Sequence, residues 1–237
     1  MIDKERRSCA EAVADIADGA LILIGGFGEA GSPTELIQAV LDQGARDLTL
    51  VNNNAGNGEI GIAALIRAGR VRRMICSFPR TSPCHAFAEA YRAGRIELEL
   101  TPQGTLAERI RAGGAGIPAF YTPTSADTPL AQGKEVRMFA GRPHVLEHAI
   151  KGDFALIKAE AADRWGNLIY RKAARSFGPI MATAARTTVV QARRMAGLGE
   201  LDPEAIVTPG IFVHRVVAVP HPVDEAAALA GLERFRG

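Results

Sequence analysis

Asp18-Gly19-Ala20-Leu21-Ile22-Leu23-Ile24-Gly25-Gly26-Phe27-Gly28-Glu29-Ala30-Gly31-Ser32-Pro33-Thr34-Glu35-Leu36-Ile37-Gln38-Ala39-Val40-Leu41 decides the fold. Asp18-Gly19 signals a turn. Leu21 to Ile24 is an uninterrupted apolar run, too short for a core helix, and reads as a strand buried on both faces. Gly25, Gly26, Gly28 and Gly31 follow. Ser32 is placed to cap a helix, with Pro33 at its first position and Glu35 at its third. Leu36, Ile37, Val40 and Leu41 supply an apolar face at helical spacing. A buried strand thus runs through a glycine-rich loop into a helix. Backbone N–H groups in such a loop favour an anion, a phosphate or a developing oxyanion. The competing reading is a tight turn with no ligand. Gly26 to Gly31 also matches the Gly-x-Gly-x-x-Gly spacing of dinucleotide sites, so the rest of the chain must decide.

The 237 residues suit one large α/β domain or two small ones, and 47% apolar content supports a sizeable core. Lys plus Arg number 28 against 26 for Asp plus Glu, which gives no electrostatic case for nucleic acid. The apolar runs are far shorter than a membrane span, and the N-terminus lacks the apolar stretch of a secretory signal. Cys9, Cys76 and Cys84 are few and odd in number, so a reduced cytoplasmic protein is expected.

Outward from the opening stretch, strands are expected at Asp47–Asn52, Val71–Ser77 and Ile96–Leu100. Helices are expected at Cys9–Ala17, Ile60–Ala68, His85–Ala93 and Thr105–Ala112. This alternation predicts an α/β fold, an open and mainly parallel sheet flanked by helices. Gly113-Gly114-Ala115-Gly116-Ile117-Pro118 and Thr122–Ser125 read as loops. The stretch from about 113 to 150 reads as an insertion of loops and short strands within a single domain spanning residues 1–237. Further strands are expected at Asp153–Lys158 and Thr187–Gln191, a turn leading into another strand at Trp165–Tyr170, a helix at Pro179–Ala185, and an alanine-rich tail after Pro220.

In an open parallel sheet, ligands bind outside the carboxyl ends of the strands. Four such ends are polar or glycine-rich: Gly25–Gly31, Asn52–Asn54, Ser77–Arg80 and Gln103-Gly104. Asn and Gln amides there can donate to a carbonyl oxygen or an oxyanion; Asn-rich loops also simply turn chains. His144 and His148 lack a third ligand, so no metal site is expected. Cys84 and His85 are sequence neighbours, poor geometry for a nucleophile and its base. Arg193 and Arg194 read as a solvated strand end, and Glu29 invites the role of nucleophile or base.

These stretches together resemble the A (alpha) subunit of family I coenzyme A transferases. The likeness rests on Asp18-Gly19, the apolar run, Gly25-Gly26-Phe27, Gly31 and Pro33. It continues through Asn53-Asn54-Ala55-Gly56, Thr101–Arg109, Gly113–Phe120, Asp153–Leu156, Gly166-Asn167-Leu168, Pro179–Ala185 and Thr208–Ile211. Ala55–Gly61, Ile75–Arg80 and Tyr170–Arg175 are similar to the 3-oxoadipate branch of that family. Asn52 stands where the family usually has a serine.

The resemblance implies CoA transfer from succinyl-CoA to a 3-oxo acid, 3-oxoadipate or alternatively acetoacetate. It implies a glutamyl-CoA intermediate on a partner B subunit, in a heterotetramer of two A and two B chains, with no cofactor beyond the CoA thioester substrate. Glu29 falls on a free position of the signature and is not expected to be the nucleophile. The resemblance assigns Gly25, Gly26, Phe27, Gly28, Glu29, Ala30 and Gly31 to CoA, Asn53 and Asn54 to the acyl site, and Gln103 to carbonyl polarisation. Arg80, just past the third strand, is expected either to hold the distal carboxylate of a dicarboxylic substrate through its planar fork or to be a solvated loop residue. Three rivals are a sugar-phosphate isomerase, a dinucleotide-dependent dehydrogenase and a non-catalytic ligand-binding subunit. The first needs its own acid and base, the second an acidic residue closing a second strand, and the third a partner active without this chain.

Overall fold

The structure, a computed structural model, describes residues 2–28, 30–79 and 85–223. Glu29, Arg80, Cys84 and the alanine-rich tail lie outside them. In chain order the elements are β1 (Glu5–Arg6), α1 (Cys9–Val13), β2 (Leu21–Ile24), α2 (Thr34–Gln43), β3 (Leu48–Val51), α3 (Ile62–Arg67), β4 (Val71–Cys76), α4 (Ala86–Arg92), β5 (Glu97–Leu100) and α5 (Gln103–Ala115). There follow β6 (Ala119–Thr122), β7 (Val136–Phe139), β8 (Arg142–His148), β9 (Gly152–Asp163), β10 (Leu168–Ile169), α6 (Gly178–Thr183), β11 (Ala185–Ala196) and β12 (Arg215–Ala218).

The main sheet has the order β1-β12-β11-β9-β2-β3-β4-β5, every neighbouring pair parallel. Alternate residues of the apolar runs serve opposite faces, which is why those runs are continuous. Ile22, Ile24, Leu48, Leu50 and Met74 pack under α1 to α4, against Val13, Leu36, Ile37, Val40, Leu65 and Phe87. Leu23, Val51, Ile75, Ala155 and Val190 face the other way, against Leu106 and Ile110 of α5 and Met181 of α6.

β9 and β11 are each 12 residues long, against 4 for β2. β2 pairs with β9 over Phe154 to Leu156, so residues 157–163 of β9 run on beyond its end. β10 folds back antiparallel along that overhang, with Leu168 opposite Ala162. The chain is thereby returned to the edge where β2 ends.

Residues 119–148 form a small antiparallel sheet, in the order β6-β8-β7. A web of charge ties it to the main sheet. Glu99 of β5 takes bonds from Arg73 of β4 and from Arg109 Nη1 of α5, the latter at 2.5 Å. Arg109 Nε donates to the His148 carbonyl at 2.7 Å, and Lys134 holds the buried Glu147 of β8. Burial pushes the Glu99 carboxyl up, but Arg109 and Arg73 outweigh it and hold the group below the usual carboxylate value.

Three expectations are corrected. Ser32 does not cap α2: the helix begins after Pro33, and its Leu36 amide is satisfied from across the sheet by Gln191 Oε1 at 3.2 Å. Gly113 and Gly114 are not loop residues, because α5 runs through them to Ala115. A Cβ at Gly113 would strike the Ile150 carbonyl, and one at Gly114 the Thr183 side chain, so these glycines let a helix approach closely. Gln103 opens α5 rather than preceding it. His144 and His148 lie on strand β8, and His144 packs edge-on against Phe139. Among the described residues no group of three or more His, Cys, Asp or Glu is placed to hold a metal ion, and no helix is long and apolar enough to cross a membrane.

Candidate active site

β2, β3 and β4 end side by side on one edge of the sheet, and α5 starts beside them. The loop after β2 folds tightly. Gly25 N–H donates to the Leu156 carbonyl at 2.9 Å, and the Phe27 and Ala30 amides bond each other's carbonyls at 3.0 and 3.2 Å. Those two N–H groups are therefore spent inside the loop. Gly26, Gly28 and Gly31 have φ of 119°, 60° and 83°, values that favour glycine.

Asn52 fastens this loop to the next one. It is buried, and its Nδ2 donates to the Ile24 carbonyl at 2.7 Å and the Gly25 carbonyl at 3.3 Å. Its Oδ1 accepts from the Asn54 amide at 2.8 Å, and Asn54 Oδ1 accepts from the Gly56 amide at 2.8 Å. The asparagines are thus a series of turns that hold their own backbone. Asn53 is fixed from the other side. Its carbonyl accepts from the Ser77 and Phe78 amides, and its Oδ1 accepts from Ser77 Oγ at 2.8 Å and from Gln103 Nε2 at 2.7 Å.

These loops enclose a cavity of about 600 Å³ lined by Phe27, Gly28, Asn53, Asn54, Asn57, Ser77, Phe78 and Gln103. Phe27 and Phe78 stand at its rim, 50% and 60% exposed. The lining is neutral: amides, a hydroxyl and two aromatic rings. Among the described residues the thiol of Cys76, at the end of β4, is buried in the sheet, and burial pushes it up to about 12. The described lining can therefore hold and polarise a carbonyl group; it contains no titratable side chain, and its one hydroxyl, Ser77, donates to Asn53.

Of the residues expected here, the structure brings Phe27, Gly28, Asn53, Asn54 and Gln103 to one cavity. Gly25, Gly26, Ala30 and Gly31 shape the loop behind it without lining it. Glu29 and Arg80 lie outside the described residues. The sequence reading marks Ser77–Arg80 as a polar strand end but gives Ser77 no role, and it misses Asn57 and Phe78. A serine closing an apolar strand on the edge that carries the asparagines is the signal that was available for Ser77.

The family model for coenzyme A transferase matches residues 6–219. The A subunit of the 3-oxoadipate CoA-transferase of Pseudomonas putida is 62% identical over 219 residues, covering 92% of this chain and 95% of that one. Its counterpart in Acinetobacter baylyi is 56% identical over 227 residues, covering 96% and 100%. The crystal structure of glutaconate coenzyme A-transferase from Acidaminococcus fermentans superposes with a TM-score of 0.82 at 22% identity, covering 91% of this chain and 75% of that one; it bears on the fold alone. The chain belongs to the coenzyme A transferase family, and its cavity lies where an open parallel sheet holds its ligands.

Proposed function

We propose that this chain is the A subunit of an enzyme that moves CoA from succinyl-CoA to 3-oxoadipate, in the cytoplasm, as a complex of two A and two B subunits. The observation that carries the reading is the neutral cavity. Its described lining offers donors to a carbonyl but no group that can attack one. The identity to the A subunits of 3-oxoadipate CoA-transferases supports the acceptor.

The attacking carboxylate then comes from a glutamate of the partner. It adds to the thioester carbonyl of succinyl-CoA, and the CoA thiolate leaves an acyl-glutamyl anhydride. The thiolate adds to the glutamyl carbonyl and releases succinate, leaving a glutamyl-CoA thioester. The carboxylate of 3-oxoadipate repeats these steps in reverse, so 3-oxoadipyl-CoA forms and the glutamate is restored. Each addition places negative charge on a carbonyl oxygen. The role of this chain is to meet that oxygen with fixed amide donors in a site closed by the partner. Phe27 and Phe78, exposed at the rim, form part of the surface that closes. No cofactor is required beyond the thioester.

The test is reconstitution. The purified chain alone should give no CoA transfer, and the chain with its B subunit should form 3-oxoadipyl-CoA from succinyl-CoA. Turnover by the single chain, or preference for acetoacetate over 3-oxoadipate by the complex, would overturn the reading.

A further inference from the structure

β7 is an edge of the small sheet, paired with β8 alone, and all four of its residues are exposed. Its pairing shows which backbone groups are left over. The Glu135 carbonyl accepts from the Leu146 amide at 2.9 Å, and Met138 stands opposite Pro143, which has no N–H to give. Antiparallel neighbours alternate between bonded and unbonded pairs. Arg137 with His144 and Phe139 with Arg142 are therefore the bonded pairs, and the N–H and C=O groups of Val136 and Met138 point away from β8. Among the described residues no strand takes them up. The side chains of Val136 and Met138 are 46% and 64% exposed. The margin of the main sheet is different: Glu97 and Glu99 of β5 are each matched by an arginine of β4. An apolar edge with free backbone groups is a template for a further strand.

The sequence Glu135-Val136-Arg137 selects that strand, because it is complementary to itself. Let a second copy run antiparallel with Val136 opposite Val136. The two valines then exchange both backbone bonds, and Glu135 of each copy faces Arg137 of the other. These flanking pairs are of the unbonded kind, in which side chains come closest. Glu135 has an oxygen for the task. Its Oε1 accepts from the Tyr121 hydroxyl and from Arg137 Nε of its own chain, both at 2.6 Å, while Oε2 has no partner among the described residues. A register centred on Arg137 would set two guanidinium groups face to face. One centred on Met138 would spend Val136 on Ala140, past the end of the strand. A patch that matches itself is what a two-fold contact between identical chains requires.

We propose that β7 joins the two A chains of the complex, edge to edge, about a two-fold axis at Val136. This rests on the reading of the complex as two A and two B subunits. A pairing this short falls below the roughly 1,200 Å² that a stable interface buries, so it acts alongside the contacts with the B subunits.

The experiment uses the reconstituted complex. Val136→Cys sets two thiols on a bonded pair, whose Cα atoms lie about 5.5 Å apart, within reach of a disulfide. Mild oxidation should convert most of the A chain into a covalent A–A dimer, with the bond mapped to the introduced thiols. The native complex, which carries its own cysteines, should give none. Val136→Pro removes an outward N–H and spares the bonds to β8. Val136→Lys leaves that ladder whole and sets two ammonium groups face to face. In sedimentation, each should raise the concentration at which the complex separates into A–B halves about ten- to a hundredfold, with the B subunit retained in each half. A tetramer that yields no A–A disulfide, or separation unchanged in both variants, would overturn the proposal. A disulfide to the B subunit, or loss of that subunit from the variants, would make β7 a surface for B and overturn it equally. A native complex with the mass of one A and one B chain would overturn both the stoichiometry and this contact. A native complex that transfers no CoA would sink the functional reading, while the disulfide would still decide the contact at β7.

Discussion

Gln103 Nε2 donates to Asn53 Oδ1 across 2.7 Å, and Ser77 Oγ donates to the same oxygen across 2.8 Å. Both acceptor directions of that oxygen are therefore filled. The Asn53 amide cannot rotate without breaking two bonds, and its Nδ2 is the group left for a ligand in the cavity. Gln103 therefore bears on the cavity by bracing Asn53.

Asn53→Ala should lower the turnover number by about 10²–10³, the usual cost of one oxyanion donor, with a smaller rise in KM. Gln103→Ala should also lower turnover more than it raises KM, by about tenfold, because it leaves Asn53 in place but unbraced. The double variant should be no slower than Asn53→Ala. Steady-state kinetics of the four complexes checks this, and strictly additive losses would show two independent donors.

Asn52→Ala should destabilise the chain by about 1–3 kcal/mol, since it strands the Ile24 carbonyl and the Asn54 amide in a buried place. Asn52→Ser keeps one of those bonds and should fall between. Urea unfolding of the isolated chain measures both; a native-like midpoint for Asn52→Ala would show that the tie contributes nothing.

Gly31→Ala and Gly28→Ala separate conformation from crowding. Both positions have positive φ, at 83° and 60°. At Gly28 no atom lies within 4 Å of an added Cβ, so the cost should be about 1 kcal/mol. At Gly31 the Cβ meets the Ala174 backbone, and strain of about 1–3 kcal/mol is added. Thermal unfolding of the two variants should rank them in that order.

Glu99 gives a pH dependence of definite sign. Its folded value lies below the usual 4.5. Its contribution is therefore complete above 4.5 and is lost as pH falls through the lower folded value. Glu99→Gln should flatten that part of the acid limb while lowering stability at neutral pH. An unchanged acid limb would show that the Arg109 contact does not outlast solution conditions.

The parallel sheet was legible because Leu21–Ile24 is apolar on both faces, the pattern of a strand covered on both sides, and because strands alternate with helices after it. The edge carrying the site was legible for the same reason: alternating strands and helices fix which strand ends face together. The role of Asn52 was not, because its partners depend on the register that sets Leu23 opposite Val51. Gly113 and Gly114 read as breakers because their neighbours, Ile150 and Thr183, come from distant parts of the chain. Ser32 lost its place as a cap to Gln191, again a contact across the sheet.

Among the described residues β5 is the last strand of the main sheet, and no further strand of that sheet lies beside its outer backbone groups. Such a margin is a template on which a stranger's chain can pair and start an aggregate. Glu97 and Glu99 alternate with Leu98 and Leu100 along it, and each is matched by an arginine of β4, Arg72 and Arg73. A foreign strand laid there would have to bring its own side chains against this row of bonded charges. Glu99, which takes part in holding the small sheet in place, thus also helps to guard this edge against a foreign strand.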